Sequence, residues 1–475
     1  MSRSHLTIKT VWPWFLIVVV MVLGAAMASC KSEAPAATPT PTKTPRPEVA
    51  SATATPEEAT AVPATATTAP TAAPTATPSA APSAAKTAGP APTQAKPSPA
   101  KPSPTARPPA STPVVKAGDP MASPDYGIQS FLWWQPEIAD RDLQLVKDAG
   151  FGWVKQLVSW QDVEGAGKGQ YDWTNLDRIV EQTEQHGLKL AVRVSQDPDR
   201  PFWAGNPPEN AGDFADFLAA IASRYQGRIQ AYQVWNEPNL AREWGGRRPD
   251  PAGYARLLKI AYSAIKGVDK NATVITAGMA PTGTDTEIAM PDIKFYDQMY
   301  QAMKGNSDGY FDMLGVHAAG FAAPPEISPD ETAANKPQYG GERFFAFRHV
   351  EDVRKIMERY GDQDKRVAIL EFGWTTDNRP DSPYYWHGAG AGIDELKQGC
   401  YLLGALKYAK ENWQPWIGLM SMIYLPDVKW TKNDEQYYWS IIGPGYPDLY
   451  LRAPYVIIQN YLTKGIVDDN CPQYK

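Results

Sequence analysis

Two glutamates stand where the chain turns out of an apolar run: Glu237 closes AYQVWNE (231–237), and Glu371 closes RVAILE (366–371) 134 residues later. For one such carboxylate, a solvated turn explains the position as well as chemistry does, and Asn236 and Pro238 are ordinary turn formers. A facing pair is a different matter. Two carboxyls on either side of a glycosidic bond can divide the work, one protonating the leaving oxygen while the other attacks the sugar carbon or activates a water. Whether these two face each other depends on the elements that carry them.

Beyond residue 118, strand-like runs alternate with helix-like ones. The strand candidates are 126–133, 153–158, 188–194, 229–236, 273–278, 311–317, 366–371 and 418–425. Amphipathic stretches lie between them at 137–150, 175–187, 213–225, 251–268, 292–303, 347–360 and 393–411, with a last one at 454–462, several of them ending in Gly. Eight strands each followed by a helix predict an α/β fold, a (β/α)8 TIM barrel over residues 119–475. An open doubly wound sheet would want a Gly-rich phosphate loop after its first strand, and none is present. In a barrel the site forms at the C-terminal strand ends. These ends carry Trp133, Trp134, Trp160, Arg193, Asn236, Glu237, His317, Glu371 and Trp374. On loops above the same rim stand Trp203, Trp244, Trp386, Trp430 and Trp439. Indoles stack on the C–H faces of sugar rings, although core packing accounts for any single one of them. Arg193 could point at a carboxylate or simply fill the barrel, and the segment 320–345 is expected to be a rim loop that shapes the cleft.

Composition divides the chain at the same place. Residues 31–118 lack Phe, Trp, Tyr, Leu and Ile and hold 20 of the 45 prolines, so they cannot bury a core and are expected to form a disordered Pro/Ala/Thr/Ser-rich linker. Residues 1–118 carry 10 Lys plus Arg against 4 Asp plus Glu, and the remainder 36 against 48. An acidic folded part lacks the basic footprint that a nucleic-acid partner needs. At the start, Arg3 and Lys9 precede the uncharged run 11–28, which small residues close. Residues 1–30 are expected to be an export signal. Met27, Ala28, Ser29 and Cys30 resemble a bacterial lipobox, with Cys30 the lipidated residue, and an uncleaved anchor is the alternative. Either makes the protein extracytoplasmic and membrane-anchored. Cys400 and Cys471 are then left either to pair or to stay as buried thiols. The five histidines are scattered, with no metal-ligand spacing. No metal or cofactor is expected, and a monomer is.

WNEP (235–238) and ILEFGW (369–374) resemble the fourth-strand acid/base and seventh-strand nucleophile motifs of clan A retaining glycoside hydrolases. The surrounding text, WVKQLVSWQDVE from residue 153, YDWTNLDRIV and AGYARLLKIAYSAIK, is most similar to family thirty-nine and its cellulase-like relatives. The resemblance implies that Glu237 is the acid/base and Glu371 the nucleophile, that Asn236 holds the sugar 2-hydroxyl, that His317 orients a carboxyl or touches substrate, and that the substrate is a β-linked poly- or oligosaccharide. Two residues after the matching histidine those relatives often carry a Tyr that bonds the nucleophile, whereas this chain has Ala319. A Tyr elsewhere on the rim could take that part. Two other readings stay open: an inactive carbohydrate-binding surface lipoprotein, and a transglycosylase using the same residues.

Overall fold

The structure is a computed structural model that describes residues 121–475. The export segment, Cys30 and all of the expected linker lie outside the described residues. Among the described residues no helix is long and apolar enough to cross a membrane. Eight parallel strands close into a barrel in chain order. They are β1 (Asp125–Ser130), β2 (Trp153–Ser159), β3 (Lys189–Ser195), β4 (Ala231–Val234), β5 (Thr273–Thr276), β6 (Met313–His317), β7 (Arg366–Phe372) and β8 (Ile417–Met422). The crossover helices are α1 (Pro136–Asp148), α2 (Thr174–Gln185), α3 (Ala211–Arg224), α4 (Pro251–Val268), α5 (Asp292–Ala302), α6 (Val350–Arg359) and α7 (Glu395–Asn412), with α8 (Ala453–Lys464) following β8.

Local chemistry sets these elements. Asp250 caps α4 by accepting from the Gly253 N–H at 2.8 Å, and Pro251 takes the first helical position, where its missing N–H costs nothing. Tyr254, Leu257, Leu258, Ala261 and Ile265 then recur at helical spacing and bury one face against the sheet. Inside the barrel, side chains two apart along a strand share a face. Trp153, Ala191, Ala231 and Leu419 pack with Ile275 and Ala368 into an apolar floor. One step further up, the same faces present Lys155, Arg193, Gln233 and Ser421, all buried. A polar layer therefore lies between the floor and the mouth.

Two expectations are sharpened. The run 229–236 is strand only over Ala231–Val234, because Trp235 turns out of it at φ 72°. The segment 320–345 contains two short helices, Pro329–Ala334 and Lys336–Tyr339, the first closed by a Ser328/Glu331 capping box. Cys400, on α7, is disulfide-bonded to Cys471, which joins the helix to the C-terminal tail.

Candidate active site

The turn after β4 is held in a conformation that few sequences adopt. Trp235 and Glu237 both have positive φ, 72° and 37°, a region that costs a non-glycine residue roughly 1–3 kcal/mol and persists only where its surroundings over-determine it. Here they do. The Trp235 N–H donates to Val194 O and its indole N–H to Glu243 O, both at 2.9 Å, and the Glu237 N–H donates to Gly278 O at 3.2 Å. The result is a glutamate held at the barrel mouth. Opposite, the pairing of β6 with β7 skips a residue after Val316, so that His317 rather than Ala318 is in register with Glu371. Such irregularities re-aim side chains beside functional sites.

Together these devices bring the two glutamates onto one cavity. His317 Nδ1 lies 2.9 Å from Glu237 Oε1 and 3.9 Å from Glu371 Oε2. One oxygen of each carboxyl and a His317 nitrogen lie within 4.8 Å of one another. The imidazole needs space behind it, and Gly278 supplies it: a Cβ there would come within 2.1 Å of the ring. Three such ligand atoms are close enough to hold a cation, but two protein cations already face Glu371. Lys155 Nζ is 3.3 Å from its Oε1 and also donates to Leu370 O at 2.8 Å, while Arg193 Nη1 stands 3.7 Å from the same oxygen.

The electrostatics follow from that layer. Burial alone would raise the Glu371 carboxyl, but the charges of His317, Lys155 and Arg193, with the Lys155 hydrogen bond, outweigh it and hold the group below the usual carboxylate range. Lys155 is pushed down to about 8, chiefly by burial, although Glu371 pulls the other way. Just beyond β8, burial and then the Glu371 charge drive the Tyr424 hydroxyl well above its ordinary value, which puts a tyrosine within electrostatic reach of this carboxylate even though position 319 is Ala. The cavity is walled on its apolar side by Phe321, Ile423 and Trp439. Tyr384 and His387, from the loop after β7, complete the wall together with the two glutamates and His317.

Several indoles expected at the rim belong to the core instead. Trp160 is fully buried, packed against Phe202, Phe214 and Phe217, and donates to Glu164. Trp374 is buried beneath Gly320, where a Cβ would clash at 1.8 Å, and donates to Ala323 O. Trp244 packs edge-on to Trp235 and Tyr254, and Trp133 is buried beneath its neighbour. Trp133, Trp160 and Trp374 stand just past strand ends, where the chain must fold back over the barrel and needs bulk to seal it, and Trp244 adds to the same packing from the loop after β4. Trp134 and Trp203 stay at the surface, 55% and 38% exposed. Asn236 is buried beside Glu237, its Oδ1 3.5 Å from Gln233 Nε2, and is not among the residues lining the cavity. Of the loop indoles, Trp439 lines the cavity, its N–H held by Glu435 at 3.1 Å, and Trp386 and Trp430 pack around it. Lys155 could have been found in the sequence, since a lysine two residues after Trp153 in an apolar strand shares its inward face. His387 has no such signal, because nothing in a loop of Tyr, Trp, Gly and Ala marks which side chain turns inward.

A family model described as cellulase, glycosyl hydrolase family 5, matches residues 114–417. A beta-xylosidase of Geobacillus stearothermophilus is 27% identical over 130 residues, 24% of this chain and 25% of that protein, so the chain spans about a quarter of the length of this curated relative. Among solved structures, a glucosidase from Croceicoccus marinus superposes with a TM-score of 0.51 at 13% identity, covering 73% of this chain and 70% of the other. A family 39 glycoside hydrolase from Bacteroides cellulosilyticus WH2 gives 0.49 at 16% identity, with 72% and 64% covered.

Proposed function

The chain belongs to the cellulase family, glycosyl hydrolase family 5, and from that premise we propose that it is an O-glycoside hydrolase that cleaves β-linked poly- or oligosaccharides with retention of anomeric configuration. The observation that carries the proposal is the carboxyl spacing: an oxygen of Glu237 and one of Glu371 lie within 4.8 Å. Retaining enzymes hold their carboxyls about 5–5.5 Å apart, whereas inverting ones need about 6.5–9.5 Å to admit a water.

In the first step a Glu371 oxygen attacks the anomeric carbon, the glycosidic oxygen takes the proton from Glu237, and the aglycone leaves as an alcohol. An ester to Glu371 remains. In the second, Glu237 takes a proton from water, the water oxygen bonds to the anomeric carbon, and the Glu371 carboxylate departs. Lys155 and Arg193 stabilise that carboxylate both as nucleophile and as leaving group. His317, in contact with Glu237 and near Glu371, holds the two at working distance. NMR of the hydrolysis of an aryl β-glycoside panel should show the β-anomer first; appearance of the α-anomer as initial product would rule out this mechanism. If the leader is processed at Cys30, the activity sits outside the cytoplasm on a membrane tether, which globomycin-sensitive maturation and lipid labelling would test.

Lys155 gives a separate prediction with a definite sign. Glu371 is competent when ionised, hence above its lowered value, and loss of one cation raises that value. Lys155→Met should therefore move the acid limb of the kcat/KM profile to higher pH and reduce kcat about 10²-fold. Lys155→Arg, which keeps the charge, should leave the limb near its wild-type position. An unmoved acid limb in the Met variant would remove Lys155 from this role.

A further inference from the structure

One buried polar group in the cavity wall has no use in the two-step chemistry. His387 lies in the loop after β7, is fully buried, and lines the same cavity as Glu237 and Glu371. Its ring sits among aromatics, with centroids 4.8 Å from Trp386, 5.1 Å from Phe321, 5.8 Å from Tyr384 and 6.1 Å from Trp439. Among the described residues neither Nδ1 nor Nε2 meets a hydrogen-bond partner on another residue, the ring's own backbone being its one polar neighbour. Buried polar atoms are nearly always paired, and leaving a ring nitrogen unpaired is costly. A histidine serving only as filler would be replaced at no loss by Phe or Leu.

The backbone holds this ring in place. The His387 N–H donates to Tyr384 O, and Gly388 N–H reaches both Tyr384 O and Tyr385 O. Ala389 N–H ties the loop to Asp377 O, and buried Asp377 is itself fixed by Arg379 and by Ser382 Oγ at 2.7 Å. Across the cavity, Phe321 adopts φ 48°, a strained conformation for an aromatic residue, with its ring against the imidazole.

We infer that His387 is a specificity-determining residue that hydrogen-bonds a hydroxyl of the sugar ring lying against Glu237 and Glu371. This rests on the glycosidase reading and adds to it a residue that reads the sugar's hydroxyls. Burial pushes the imidazole down to about 3, only partly offset by the Asp377 charge and a hydrogen bond to its own backbone, so the ring is uncharged across the working range. An uncharged ring offers one donor and one acceptor. A hydroxyl can use either nitrogen, donating to the bare one or accepting from the N–H, so the sugar bound there directs a hydroxyl at the β7 loop.

The test is a cycle between His387→Phe, which keeps the ring packing, and a series of mono-deoxy aryl β-glycosides. For one deoxy position wild-type kcat/KM should drop about 10–100-fold, the variant should lose a similar factor on the parent glycoside, and the two losses should not multiply. Multiplicative losses at every position would overturn the inference. His387→Gln, which keeps a donor and an acceptor, should recover part of the activity, and thermal unfolding checks that both variants fold. If the wild-type full chain turns over no aryl glycoside, the glycosidase reading fails separately. His387 is then judged by its 15N imidazole resonances titrated with methyl β-D-xylopyranoside and methyl β-D-glucopyranoside: a shift with either supports sugar binding, and no shift with either refutes it.

Discussion

Glu371→Gln is expected to leave a folded protein whose kcat is lower on the order of 10⁴-fold or more, the scale of losing the nucleophile from a catalytic unit. The amide has the size of the carboxylate but no charge and little nucleophilicity, so the glycosyl ester does not form. Structural cost is the complication. Lys155 and Arg193 lie at 3.3 and 3.7 Å from Glu371, and removing one partner of a buried pair ordinarily costs about 3–5 kcal/mol. Lys155 softens that cost. Its value already stands at about 8, with Glu371 among the influences raising it, so without the carboxylate it falls further and the amine sheds its proton rather than remaining a buried unpaired cation. The unfolding midpoint should thus fall modestly in acid and recover as pH rises, while activity stays lost at every pH. Steady-state rates on aryl β-glycosides, paired with unfolding curves between pH 5 and pH 9, check both parts. Residual kcat within tenfold of wild type would disprove the nucleophile assignment.

The barrel was legible because strand and helix periods alternate eight times, and every proposed strand exists, with ends displaced by a few residues at most. The two glutamates were legible for a related reason: in a parallel barrel all strands point the same way, so residues at their C-terminal ends share a rim whatever their separation in sequence. What the sequence concealed was orientation. Trp160 and Trp374 stand at strand ends just as Glu237 and Glu371 do, yet they turn outward into the packing between strands and helices, because a rim position says nothing about which way a side chain turns once the strand has ended. Trp439, by contrast, reaches the cavity from 17 residues beyond the end of β8 at Met422, held there by Glu435. The skip in register after Val316, which sets His317 against Glu371, also leaves no mark on the local pattern. Where the resemblance leads one to expect a tyrosine the chain has Ala319, and a tyrosine from another loop, Tyr384, lines the cavity.

Glu237→Ala separates proton donation from nucleophilic attack, because its effect should depend on the leaving group. For an oligosaccharide, whose departing alkoxide needs a proton, kcat/KM should fall about 10²–10⁴-fold. For a dinitrophenyl β-glycoside the leaving group departs without one, so kcat/KM should stay within about tenfold of wild type. Deglycosylation still needs a base to deprotonate water, so on this substrate kcat drops, the ester to Glu371 accumulates, and KM falls with it. Azide requires no deprotonation and can occupy the space left by the carboxyl; its nitrogen bonds to the anomeric carbon as Glu371 leaves, restoring kcat and yielding a β-glycosyl azide. The substitution also removes the partner that His317 Nδ1 contacts at 2.9 Å, leaving Glu371 Oε2 at 3.9 Å as the nearer carboxylate, so Glu237→Gln, which keeps a group in that place but has no acidic proton, is the control. The two variants should show the same dependence on leaving group. An equal loss on the oligosaccharide and on the dinitrophenyl glycoside would mean that Glu237 positions substrate rather than donating a proton.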